Sequence, residues 1–120
     1  MKTMDTEQSK SEVVFFPPVV VSAINDNEIQ FGKVLNITVQ QPSGQTFDGI
    51  TIYYKTASIG VSIALVSLDL LPNRDVDVTT QFPDRLEKRD TVIFETRYRY
   101  SAGGQEILID GLSSDAYTIV

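Results

Sequence analysis

The chain reads as all-β: one antiparallel β-sandwich of about seven to eight strands. Apolar and polar residues alternate with period two in several segments, turn residues separate those segments, and strands and helices do not alternate. The clearest segment is Asp90–Ile109. There Val92, Phe94, Thr96, Tyr98 and Tyr100 recur every second residue, with Ile93, Glu95, Arg97 and Arg99 between them. Such alternation belongs to a strand with one face buried and one in water. Ser101-Ala102-Gly103-Gly104 then offers a glycine turn, and Glu106–Leu112 returns as a second run, making a long hairpin.

Taken in order, Met1–Glu12 is polar and charged and predicts a flexible arm. Val13–Phe16 and Val19–Ile24 are β-rich runs divided by Pro17-Pro18, which predicts an edge strand, an exchanged arm, or a strand that switches sheets at the prolines. Asn25-Asp26-Asn27 is a turn cluster. In Lys33–Gln41, Leu35, Ile37 and Val39 share one face. In Ile50–Thr56, Ile50, Ile52 and Tyr54 point inward, and Thr51, Tyr53 and Lys55 outward. Val61–Leu71 is the most apolar run, either a strand buried on both faces or a strand followed by an irregular crossing segment. A helix is disfavoured there by its β-branched residues and by Pro72. Asp75–Phe82 alternates again, Pro83–Arg89 is a polar loop with room for one helical turn, and Ala116–Val120 closes the chain. Residues 13–120 thus form one sandwich behind the arm.

Composition narrows the function. A length of 120 residues and 42% hydrophobic content suit one globular domain. A net charge of -6 argues against nucleic acid or an anionic membrane as partner. The chain has no cysteine and no histidine, so disulfides, thiolate sites and His-based nucleophilic triads do not arise. No GxGxxG or P-loop motif is present, and no cofactor is expected. The N-terminal residues lack the apolar centre of a signal peptide, and no apolar run has membrane-spanning length. Cytosolic synthesis is the expectation, with an extracellular setting if the chain is a module excised from a secreted protein.

DGITIYYKT (Asp48–Thr56), Ala64–Asp69, Val76–Pro83, DTVIFETRYRYSAGGQEI (Asp90–Ile107) and YTIV (Tyr117–Val120) follow one another in a familiar order. From about Val19 to Val120 the chain resembles the immunoglobulin-like and fibronectin-type-III-like accessory domains of bacterial and phage proteins. The resemblance implies an Ig-like sandwich that works by contact rather than catalysis. The sequence departs at Ala102-Gly103-Gly104, where such modules often carry Asp, Gly and Asn. It also lacks the Cys–Trp–Cys pattern of antibody-type domains.

The candidate site residues are those of a contact surface. Val13, Phe15 and Phe16 would pack on a neighbouring chain as an arm. Arg97 and Arg99, with Glu95 and Lys55, form a polar strip that is either a cross-strand ion-pair ladder or a recognition face for an acidic partner. Tyr53, with Tyr98 and Tyr100, suggests an aromatic platform, and core packing or a protein contact explains these rings more simply than sugar does. Asp26, Asp75 and Asp77 are calcium candidates, against a simpler reading as turn and solvated strand carboxylates. The expected function is a non-catalytic structural component of a larger assembly such as a phage virion, decorating a capsid or tail and binding other protein subunits. The alternative is an adhesion or carbohydrate-binding accessory module with a glycan as partner.

Overall fold

The computed structural model describes residues 16–22, 25, 27–72 and 74–120. Nine strands fall into two sheets: β1 (Val20–Val21), β2 (Glu28–Ile29), β3 (Leu35–Val39), β4 (Gly49–Thr56), β5 (Ile63–Asp69), β6 (Val76–Thr80), β7 (Thr91–Ala102), β8 (Gln105–Asp110) and β9 (Tyr117–Ile119). One sheet has the order β1-β3-β6, and the other β2-β9-β7-β4-β5 with β8 also on β7. The nine include two of only two residues: β1 lies within the β-rich run Val19–Ile24, and β2 is one that the sequence pattern does not register. Pairing is antiparallel except for β2 against β9, a short parallel pair that the all-antiparallel expectation did not contain.

The alternation read from the sequence maps onto burial. Leu35, Ile37, Val39, Ile50, Ile52, Tyr54, Val92, Phe94 and Tyr98 are all buried in one apolar cluster between the sheets. Thr51, Tyr53 and Lys55 of β4 face outward and are half-exposed. Each side chain in the row is placed by backbone pleat alone, so one face enters the core and the other is left to polar groups.

The long strand β7 organises the larger sheet. On one side it pairs with β4 from Val92↔Thr56 to Arg99↔Gly49. On the other side β9 pairs with Thr91 and Val92, and β8 with Arg97–Ala102. Between them the chain leaves the strand conformation, yet Gly111 N–H still donates to Thr96 C=O and Ser114 N–H to Phe94 C=O. Ser114 Oγ accepts from Phe94 N–H at 2.9 Å, so the middle of β7 stays satisfied where its partner strand is broken.

The structure decides among the alternatives that several segments left open. β1, after Pro17-Pro18, is an edge strand of the smaller sheet, and the chain crosses to the larger sheet between β1 and β2, where Asn27 takes a left-handed φ of 56°. Val61–Leu71 is not buried on both faces: Ala64, Ser67 and Asp69 are exposed, and the strand ends before buried Leu70 leads the chain to the other sheet. Pro83–Arg89 holds turns and no helical turn. Of the residues expected to form a contact arm, Phe16 packs within its own chain, its ring 5.1 Å from that of Tyr98 and 5.6 Å from that of Phe47. An aromatic side chain beside an open apolar shelf gains more from the contact within its own chain than from water.

Candidate functional site

The outer face of the larger sheet carries both ion pairs found among the described residues. Gly103 and Gly104 have φ of 61° and 80°, the two left-handed positions that a two-residue hairpin turn requires. That turn sets the β7–β8 register, so Arg97 lies opposite Asp110 and Arg99 opposite Leu108. Arg97 Nε donates to Asp110 Oδ1 at 2.9 Å. The guanidinium also lies over the Tyr53 ring, 5.9 Å from its centroid. The hydrogen bond to Asp110, and then that carboxylate's charge, push the Arg97 pKa above its ordinary value.

One row along, Arg99 reaches in the other direction. Gly49 stands directly opposite it on β4, and Asp69 stands opposite Gly49 on β5. A Cβ on Gly49 would collide with the Arg99 guanidinium. The missing side chain is therefore the channel through which Arg99 crosses β4 to meet Asp69 at 2.7 Å. Both arginines are thus paired with carboxylates, in the manner of a cross-strand ladder. In the row of Arg97 itself, Thr51 on β4 and Ser67 on β5 share a 2.7 Å hydrogen bond.

Tyr53, Ser62, Glu95, Thr96, Arg97, Asp110, Gly111 and Ser113 line a cleft of about 250 Å³ where β8 leaves β7. Glu95 is half-buried there and accepts a hydrogen bond from the Ser62 hydroxyl. The structure therefore brings Tyr53 and Arg97 together and sets Arg99 one row away. Phe16 lies apart from them, against the core rings. Tyr98 is fully buried, which removes it from any exposed platform, and Tyr100 is half-buried against Phe47.

The calcium candidates sit elsewhere. Asp77 is on β6 of the smaller sheet, where its Oδ1 accepts from the Thr38 hydroxyl at 2.8 Å. Asp75 is exposed just before that strand. Asp26, Val13 and Phe15 lie outside the described residues. No group of three or more carboxylates able to hold a metal ion occurs among the described residues.

Asp69, Asp110, Ser62, Ser113 and Gly49 were not singled out from the sequence. Asp110 was within reach: a two-residue turn at 103–104 pairs residues whose numbers sum to 207, which places Arg97 on Asp110. The others depend on β5 and on the loop beside β7, whose positions no local pattern states.

Protein-family models, curated proteins and solved structures contain no match to this chain. No helix among the described residues is long and apolar enough to cross a membrane.

Proposed function

We propose that this chain is a non-catalytic, immunoglobulin-like interaction module that serves as a structural or auxiliary component of a larger protein assembly, such as a virion. The observation that carries the reading is the free edge of β8. Gln105–Asp110 pairs with β7 on one side and, among the described residues, with no strand on the other. It has neither lysine nor proline, the residues that usually stop an edge from accepting another strand. Leu108 on it is 53% exposed, and Leu112 just beyond it 52%. Unpaired main-chain groups beside exposed leucines suit β-strand addition by another subunit, with the backbone supplying affinity and the side chains selectivity.

Two further features support it. The chain passes between the sheets after β1, β2, β3, β5 and β6, the Greek-key habit of Ig-like sandwiches. The absence of histidine and cysteine takes away the residues that most often carry acid-base and nucleophilic chemistry.

The test is the mass in solution, by light scattering, of the chain alone and co-expressed with its genomic neighbours. A defined complex that Leu108→Lys disperses, with the monomer still folded, supports the reading. A monomer that ignores every neighbour overturns it and turns attention to adhesion or carbohydrate binding.

A further inference from the structure

We infer that β5 pairs edge to edge with β5 of a second copy of this chain, antiparallel about a two-fold axis at Ser67, so that the larger sheets of the two copies run on as one. This goes beyond the β8 contact with another subunit and does not depend on it, because it concerns the opposite edge of the same sheet.

β5 ends the larger sheet: β4 lies on one side and, among the described residues, no strand on the other. Its sequence IALVSLD holds neither lysine nor proline, and its one charged residue, Asp69, is exposed and paired with Arg99 at 2.7 Å. Ile63, Leu65, Val66 and Leu68 pack against the core yet stay half-buried, so a strand laid alongside would remove more apolar surface from water. Exposed Val61 and Leu71 flank the strand at its two ends.

The main chain sets the phase. Leu70 N–H donates to Asp48 C=O at 2.9 Å. In an antiparallel pair a residue turns its N–H and C=O to the same side, and the next residue turns both the other way. Leu68 and Val66 therefore bond toward β4, while Ser67 and Asp69 offer their groups to the free edge. A register shift falls beside Leu65, and from Val66 to Asp69 the pairing with β4 is regular. With the axis at Ser67, the two Ser67 exchange both main-chain hydrogen bonds, as a self-complementary contact requires. Val66 of each copy then stands opposite Leu68 of the other, on the inward face that they share with buried Ile52 and Ile50.

Charge selects the second copy. Each copy carries -6, so self-association is least opposed where charge is lowest. Antiparallel β5–β5 pairing puts the two Asp69 carboxylates at opposite ends of the contact, and the Val61 end of one copy beside the Leu71 end of the other. β8, a free edge on the far side of the sheet, carries Glu106 and Asp110 in six residues. A β5–β8 contact would lay Asp69 against that acidic strand, and a β8–β8 contact would oppose two such strands.

The full-length chain should be run alone in sedimentation equilibrium over a range of concentrations. The mass should rise from one copy to two and no further. Ser67→Pro removes an N–H that faces the free edge, and Ser67→Lys sets two ammonium groups face to face. Each should return the mass to one copy with the far-ultraviolet circular dichroism unchanged. Leu108→Lys should leave the dimer intact, which separates this contact from the β8 reading. The chain has no cysteine, so Ser67→Cys supplies a single thiol that a short bis-maleimide should couple into a covalent dimer. Thr79→Cys, on the smaller sheet, should not couple. Where both other Ser67 variants fail to fold, that coupling decides. A monomer at every concentration, a dimer that folded Ser67 variants leave intact or that Leu108→Lys disperses, or equal coupling at Thr79→Cys overturns the proposal. A monomer that still forms a Leu108-dependent complex with a neighbour removes the β5 contact and leaves the module.

Discussion

The buried hydroxyl of Tyr117 accepts a hydrogen bond from Val21 N–H at 3.1 Å, across 96 residues of chain. Val21 lies in β1 of the smaller sheet and Tyr117 in β9 of the larger, so this bond ties the first described strand to the last and one sheet to the other. β1 meets the ladder through β3 alone, which leaves the Val21 N–H turned away from it and in need of an acceptor. Tyr117→Phe removes that acceptor while keeping the ring against Phe94, so it should cost about 1–3 kcal/mol. Urea unfolding of the two proteins measures the difference, and an unchanged midpoint would mean that the donor finds another partner.

Tyr98 presents the opposite case. Its side chain is fully buried, and its hydroxyl has no hydrogen-bond partner among the described residues. Burial pushes its pKa up to about 12, from an ordinary 10.0. The sign follows from which state ionises first. Below the unfolded value both states hold the phenol proton and stability is complete. Above it the unfolded chain loses the proton while the folded chain keeps it, so stability falls until pH reaches the folded value. Stability should therefore drop between pH 10 and about 12 by more in the native chain than in Tyr98→Phe. At neutral pH the variant should be as stable or more stable, by up to about 1–2 kcal/mol, since it removes an unsatisfied polar group. Parallel slopes in denaturation midpoint against pH would refute the assignment.

Gly49 should be coupled to a bond it does not make. The Arg99–Asp69 pair is partly exposed, so its coupling energy should be only about 0.2–1 kcal/mol in a double-mutant cycle. In a Gly49→Ala background the coupling should vanish, because the added methyl closes the path of the guanidinium. The overall stability of Gly49→Ala should change little, since a flexible side chain is what must move. A coupling that survives the substitution would show that Arg99 has another route.

Phe16 provides the test of the N-terminal segment. Its half-buried ring touches Phe47 and Tyr98, so Phe16→Ala should lower stability by roughly 1–3 kcal/mol, less than a fully buried phenylalanine would. Removing residues 1–15 and keeping Phe16 should spare that contribution. Thermal unfolding of the two variants distinguishes a ring that packs on its own sandwich from an arm reserved for another chain.

How far the pattern reaches can be seen by comparing β7 with β5. β7 reads correctly from Val92 to Tyr98 because each inward residue is apolar or small and the outward ones, Ile93 apart, are charged, and period two assigns every side chain to a face without knowledge of any neighbour. β5 is apolar almost throughout, and its sequence suggested burial on both faces as one of two outcomes. It is instead the last strand of its sheet, with a register shift against β4 beside Ile52 and Tyr53. Whether a strand sits at the centre or the edge depends on which other strands pair with it, and that information is spread over the chain.

The sequence by itself determined the all-β class, the inward and outward faces of β3, β4 and β7, and the β7–β8 hairpin with its glycine turn. These follow from local rules: side-chain alternation and the positive φ that glycine permits. Only the tertiary structure decided that β1 and β2 lie in different sheets, that Arg99 passes over Gly49 to Asp69, and that Tyr53, Glu95, Arg97 and Asp110 line one cleft. Each of these joins residues from separate strands, and the pairing is chosen by the burial of the whole core rather than by any segment's own preference.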